Sequence, residues 1–313
     1  MSMPTPTQPV PQSQVPPRPR TRLGLRRFPW VPYLFLLPGV AFFVIFDYIP
    51  AFNALYLSFT KYHVLSPPEW VGLENYHDML NDPSFWKALK NSFAYMVIMV
   101  PMLVVIPLFL AILVNQKLKG IHLFRVAYYL PVVTSMVTVS ITWNYLYHES
   151  GLLNYLLITL GILSKPISWL LDVNTAIFAV ALVESWKSMG FYMIIYLAGL
   201  QSVPQDLIEA ARVDGANRLR IIWHVIIPML RPFVALCVVM AGMGSMQVFT
   251  SVFMLTQGGP LDSTTNLTYL IYDLAFQKLN MGYASAVGMV LWVILLVLSI
   301  LNFRLSHGGE RMQ

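Results

Sequence analysis

Residues Ser202–Pro228, SVPQDLIEAARVDGANRLRIIWHVIIP, form a polar, charged island between long apolar runs. The island has the marks of a short helix followed by a glycine break. Ser202 with Gln205 three residues on has the spacing of a capping box. Pro204 suits the first turn of a helix, and Asp206 and Glu209 bring negative charge to its positive end. Gly215 stands where a helix ends in a left-handed residue. A helix of about eleven residues spans only ~16 Å, about half the hydrocarbon core of a bilayer. Such a helix lies on or below a membrane surface and does not cross it.

The flanking sequence makes a bilayer the relevant solvent. Of 313 residues, 57% are hydrophobic and 11% charged, where a soluble domain has about 25% charged. The mean hydropathy is +0.63. A net charge of +6 raises the question of nucleic acid. The arginines flank apolar runs, as membrane orientation requires, and no nucleic-acid motif accompanies them, so no nucleic-acid partner is expected. Cys237 is the single cysteine and sits inside an apolar run, which excludes a disulfide framework and a thiolate metal site. The six histidines show no HExxH-type spacing.

A crossing needs about twenty apolar residues. Six stretches qualify, at about 30–49, 92–114, 124–147, 175–199, 230–256 and 283–303. The expected fold is therefore an all-α polytopic membrane protein with six transmembrane helices, occupying 29–305. The N-tail, the 115–125 loop, the 202–231 loop and the C-tail carry fourteen of the lysines and arginines, and the opposite loops carry five. This bias orients both termini and the 202–228 loop to the cytoplasm of a bacterial or archaeal cell membrane. Residues 1–28, rich in Pro, Gln, Ser, Thr and Arg, are expected to be a disordered cytoplasmic tail, and 306–313 a short cytoplasmic one. The first apolar run lacks a convincing cleavage site and is expected to be retained.

Between the first two spans, Trp70, Leu73, Tyr76, Met79, Leu80 and Phe85 recur at helical spacing, which predicts one or two short interfacial helices. Gly258-Gly259-Pro260 opens the last outer loop with a turn signal. Pro131, Pro228 and Pro232 are expected at kinks or helix boundaries.

No phosphate loop, nucleophile elbow or carboxylate pair is present, so an enzyme is not expected. Glu209-Ala210-Ala211, three residues, Gly215, nine residues and Val225-Ile226-Ile227-Pro228 give the spacing E-A-A-x3-G-x9-I-x-L-P, with Val and Ile in place of Ile and Leu. This resembles the EAA loop of permease subunits in binding-protein-dependent ABC importers. VGLENYHDML, DPSFWKALKNS, FRVAYYLPVV, LAGLQSVPQDLIEAARVDGA and LTQGGPLDSTTNL extend the likeness over about 30–305, toward first-position permeases of sugar and glycerol-phosphate uptake. The resemblance implies a type I importer permease fold and a second permease as heterodimer partner. It also implies a cytoplasmic ATP-binding subunit in two copies, which uses ATP and Mg while this chain binds no cofactor, and an extracytoplasmic solute-binding protein. It implies a sugar or oligosaccharide as cargo, with glycerol-3-phosphate or a polyol as the alternative. A self-sufficient secondary transporter is a further alternative, although no inverted repeat is visible.

By that resemblance Glu209, Ala210, Ala211, Asp214 and Gly215 couple the chain to the ATPase. Small Ala210 and Ala211 allow close approach, Leu207, Ile208 and Val213 supply apolar anchors, and an ordinary interfacial helix is the plainer alternative. Inside the spans, Glu184 and Lys187 lie three apart on one face and could neutralise each other, either at a functional cavity or as a structural pair. Met240, Met243 and Met246 alternate with small residues before Gln247, Thr250 and Ser251. These residues are candidates for the solute path or for a helix-packing face, and Asn144 and Tyr145 are weaker candidates of the same kind.

Overall fold

A computed structural model of the chain describes residues 30–115 and 120–308. The tail at 1–28, the loop residues 116–119 and the last five residues lie outside them, so the expectation of a disordered N-tail falls outside the described residues. The chain divides after Pro50 into two units.

In the first unit, α1 (Val31–Phe43) runs into a widened π-turn at Val44–Tyr48. The helix does not stop at 49, where the first expected span ends. Helix α2 (Ile49–Leu57) continues the run, giving a 25-residue apolar helix, Tyr33–Leu57. Pro50 has no N–H and its ring crowds the preceding turn. The π-turn, in which the Ile49 N–H reaches back to the Val44 carbonyl, makes room for it.

The second unit begins within α2, which is followed by a minimal antiparallel pair, β1 (Thr60–Lys61) and β2 (Glu69–Trp70), with Thr60 opposite Trp70. Helix α3 (Glu74–Asn81) is a short helix within the stretch whose aromatic spacing predicts one. Its buried Asn75 donates to the carbonyls of Ser58 and Thr60, both at 2.9 Å, and pins the chain after α2. Helix α4 (Pro83–Val114) starts nine residues before the apolar run does, because Asp82 accepts the Ser84 N–H at 2.8 Å and Pro83 takes the first turn. Its 32 residues span about 48 Å.

The third apolar run is two helices rather than one uniform helix. α5 (Ile121–Val133) and α6 (Met136–Tyr147) meet at 100°. Pro131 weakens the end of α5, and Thr134 and Ser135 are extended. The carbonyls freed at the break are satisfied by the Thr134 hydroxyl, on Leu130 at 3.0 Å, and by Lys187 Nζ, on Val132 at 3.3 Å. α7 (Leu152–Thr159) lies in the following loop, and α8 (Ala176–Gln201) is a continuous helix of 26 residues. α8 crosses α5 closely, since a Cβ on Gly190 would lie 2.2 Å from the Tyr128 carbonyl oxygen.

After α8 come α9 (Gln205–Val213), α10 (Arg218–Ile221), a π-turn at Ile222–Ile226 and α11 (Ile227–Met229). α12 (Arg231–Met246) leaves this run at 67°, pivoting on the fully buried Leu230 between Pro228 and Pro232. α13 (Thr250–Leu255) and α14 (Leu267–Tyr272) follow. α15 (Met281–Gly308) runs past the expected end at 303 and into the expected C-tail.

Four continuous helices among the described residues are long and apolar enough to cross a membrane, and six if each bent pair counts as one crossing. The second unit holds two apolar clusters. One gathers α4, α6, α8, α12 and α13 around Tyr95, Met99, Tyr196 and Met193. The other joins α3, α4, the end of α12, α14 and α15 around Phe85, Met246, Leu267 and Val287.

Candidate coupling segment and intramembrane polar site

The coupling segment is held at its ends and bare along its middle. The expected capping box is absent: Pro204 is the N-cap, and the Ser202 hydroxyl donates instead to the Gly199 carbonyl at 2.7 Å, so Ser202 closes α8. The C-terminal end follows the sequence closely. Gly215 takes φ +78°, its N–H bonds the Arg212 carbonyl at 3.0 Å, and the Ala216 N–H bonds Ala211 at 2.9 Å. That paired reversal satisfies two carbonyls that a helix end leaves free. Asp214 sits at the helix C-cap, and its N–H bonds the Ala210 carbonyl. Asn217, which the sequence reading did not single out, restarts the chain as α10 by accepting the Arg220 N–H at 2.9 Å.

Gln205, Ile208 and Arg212 face the body of the chain across one side of α9. Glu209, Ala210 and Asp214 are exposed. Leu207 is 47% exposed and Val213 87%, so α9 presents two bare apolar side chains beside small alanines. An exposed apolar face on a nine-residue helix, too short to cross a bilayer, costs free energy in water unless something covers it.

The intramembrane candidates separate. Glu184 and Lys187 make no direct ion pair, since the two salt bridges among the described residues are His77 with Asp78 and Lys278 with Asp273. Lys187 is nevertheless near enough to act on the Glu184 charge. It also caps the broken α5, a favourable place for a cation at a helix C-terminus. Glu184 lies beside Ser251 of α13 and near Tyr95 of α4. The Ser251 hydroxyl is buried without a hydrogen-bond partner of regular geometry, as are those of Ser140 and Ser185. Thr250 is half-buried and Gln247 exposed, at the break between α12 and α13. Met246 is fully buried in the second cluster, and Asn144 is exposed on α6, so neither joins the Glu184–Ser251 group.

Sequence reasoning missed what stabilises the break at 247–249. The Thr268 hydroxyl donates to the Met246 carbonyl at 3.2 Å, and Asn266 Nδ2 donates to that of Val248. Beside them Phe249, Phe253, Tyr269, Tyr272 and Phe276 form a chain of ring contacts, with Phe249 and Phe253 stacked at 5.7 Å. It also missed the knot that fixes the 258–266 loop. Lys87 donates to the Leu261 carbonyl, Asn91 to those of Asp262 (2.9 Å) and Thr265 (2.8 Å), and Tyr95 to that of Thr264 (3.2 Å). All three donors lie on one face of α4. The Gly258-Gly259-Pro260 turn was the only local signal, and it is formed, with Gly258 at φ +83°.

The model of the family described as binding-protein-dependent transport system inner membrane component matches residues 80–308. The chain belongs to that family. Among its relatives, the probable ABC transporter permease protein YurN of Bacillus subtilis is 37% identical over 284 residues, covering 90% of this chain and 97% of that protein. The arabinooligosaccharides transport system permease protein AraP of Bacillus subtilis is 34% identical over 281 residues, covering 88% of each. A chain from the crystal structure of a bacterial ABC transporter involved in import of the acidic polysaccharide alginate superposes with a TM-score of 0.77 at 26% identity, covering 89% of this chain and 95% of that one. As a member of this family the chain is a multi-pass ABC permease subunit and not an enzyme, and ATP hydrolysis belongs to separate ABC ATPase subunits. That membership sets aside the self-sufficient secondary transporter.

Proposed function

We propose that this permease translocates a sugar or oligosaccharide received from an extracytoplasmic solute-binding protein, in a heterodimer with a second permease. The names of AraP and of the alginate importer support a carbohydrate cargo. The aromatic chain from Phe249 to Phe276, next to Gln247 and Thr250, suits the apolar faces and hydroxyl edges of sugar rings. Gln247 and Thr250 are the solute-facing groups in this reading, with the buried Ser251 and half-buried Glu184 behind them and Met246, Lys187 and Asn144 supporting helix packing and helix ends. Counting each bent pair as one crossing gives six spans within 29–305, with both termini and the 202–228 loop in the cytoplasm on the strength of the lysine and arginine bias.

Glu209, Ala210, Ala211, Asp214 and Gly215 form the docking element for the ATPase, and the observation that carries this is the exposed apolar face of α9, with Val213 87% exposed. Closure of the ATPase pair then moves α9 and, through the pivot at Leu230, tilts α12. Reconstitution with the partner permease, ATPase and binding protein tests the path. Gln247→Ala or Thr250→Ala lowers sugar uptake about fivefold, the worth of one hydrogen bond of about 1 kcal/mol. Unchanged uptake in both variants removes these residues from the path.

A further inference from the structure

A cavity of about 540 Å³ lies where the coupling segment meets the ends of the membrane-crossing helices. Its volume falls within the range of small-molecule sites, about 300–1,000 Å³. Ile112, Ile208 and Ile222 form an apolar wall, and Asn115, Arg212 and Arg218 supply the polar one. Neither guanidinium pairs with a carboxylate, since both salt bridges among the described residues lie elsewhere. The nearest carboxylates in sequence, Asp206, Glu209 and Asp214, do not line the cavity. Arg125 lies nearby: its Nη2 donates to the Val114 carbonyl at 2.9 Å, one residue before Asn115.

Two unpaired guanidiniums select a phosphate, which their planar forks hold through paired hydrogen bonds. The isoleucine wall selects a ligand that also carries hydrocarbon, because a free anion would leave that wall wet. Depth decides the source. Ile112 and Asn115 sit at the end of α4 and Leu200 at the end of α8, where the apolar runs of both helices stop, which is the level a bilayer's headgroups would take if those runs fill its core. We propose that the cavity binds the phosphate of an anionic phospholipid, with the guanidiniums of Arg212 and Arg218 on the headgroup and the isoleucines against the start of an acyl chain. The bound lipid thereby joins α9 to the ends of α4 and α8.

The test is native mass spectrometry of the assembled transporter, delipidated and then exposed to phosphatidylglycerol or phosphatidylcholine. Two basic residues at about 1 kcal/mol each predict a preference for phosphatidylglycerol of about thirtyfold, lost in Arg212→Gln/Arg218→Gln. Equal retention of both lipids by the unmodified complex overturns the proposal and needs no variant. Full retention of phosphatidylglycerol by the double variant overturns it too. In phosphatidylcholine, millimolar inorganic phosphate that binds with the same arginine dependence makes this a free-anion site and sinks the lipid assignment. Cross-links from both arginines to the ATPase, with no lipid retained, assign them to that protein instead.

Discussion

At Gly190, in the middle of α8, a Cβ would stand 2.2 Å from the Tyr128 carbonyl oxygen of α5, whereas at Gly215, beyond α9, a Cβ would meet nothing within 4 Å. The two sites require the same residue for opposite reasons. Gly190 lies in a helix and is glycine because two backbones touch there. Gly215 is glycine because its φ of +78° disfavours a side chain, and the space around it is empty. The first requirement belongs to this chain's own packing. The second belongs to the local chain reversal alone and places no demand on the rest of the molecule.

Substitutions can break this contrast or sharpen it. Gly190→Val has the largest effect: the α5–α8 crossing cannot close, and the variant fails to accumulate as folded permease, read by fluorescence-detected size exclusion. Normal accumulation would show that the crossing yields more easily than a 2.2 Å contact allows. Gly215→Leu costs the isolated chain only about 1–2 kcal/mol of backbone strain. In the assembled importer it abolishes solute-stimulated ATP hydrolysis, as does Glu209→Lys; persistent coupling in both variants defeats the docking assignment. Asn91→Ala frees the Asp262 and Thr265 carbonyls from α4 and costs about 1–3 kcal/mol, seen as a lower melting temperature in detergent. Gly215→Asn has the smallest effect, since asparagine tolerates the left-handed region, and stability stays within about 0.5 kcal/mol.

The spans were legible because crossing a bilayer demands long apolar runs, and every run predicted contains helix. Helix direction was not legible. Hydropathy counts residues along 124–147 without recording that Thr134 and Ser135 are extended, and Pro131 marked the place without giving the angle. The Gly215 reversal was readable because its hydrogen bonds are local. The cap at Ser202 was misread because Gly199, three residues earlier, offered its hydroxyl a closer carbonyl. Lys187 acts on the Glu184 charge, as helical spacing suggests, and it also donates to a carbonyl 55 residues earlier in the chain, which no local pattern could announce. The α4 knot left no periodic trace, since Lys87, Asn91 and Tyr95 address backbone carbonyls about 170 residues away, and any sequence supplies carbonyls.

The length of α4 has a mechanical consequence. At about 48 Å it exceeds the roughly 30 Å hydrocarbon core by some 18 Å. Its first turns hold the 258–266 loop through Lys87 and Asn91, and its last residues reach the Arg212–Arg218 cavity. Pro101 and Pro107 lie within it without ending it. If it moves as a rod, a tilt of about 5° swings one end by roughly 4 Å relative to the other. A disturbance at the α9 end can then reach the 258–266 loop as displacement, with no signal needing to pass from side chain to side chain.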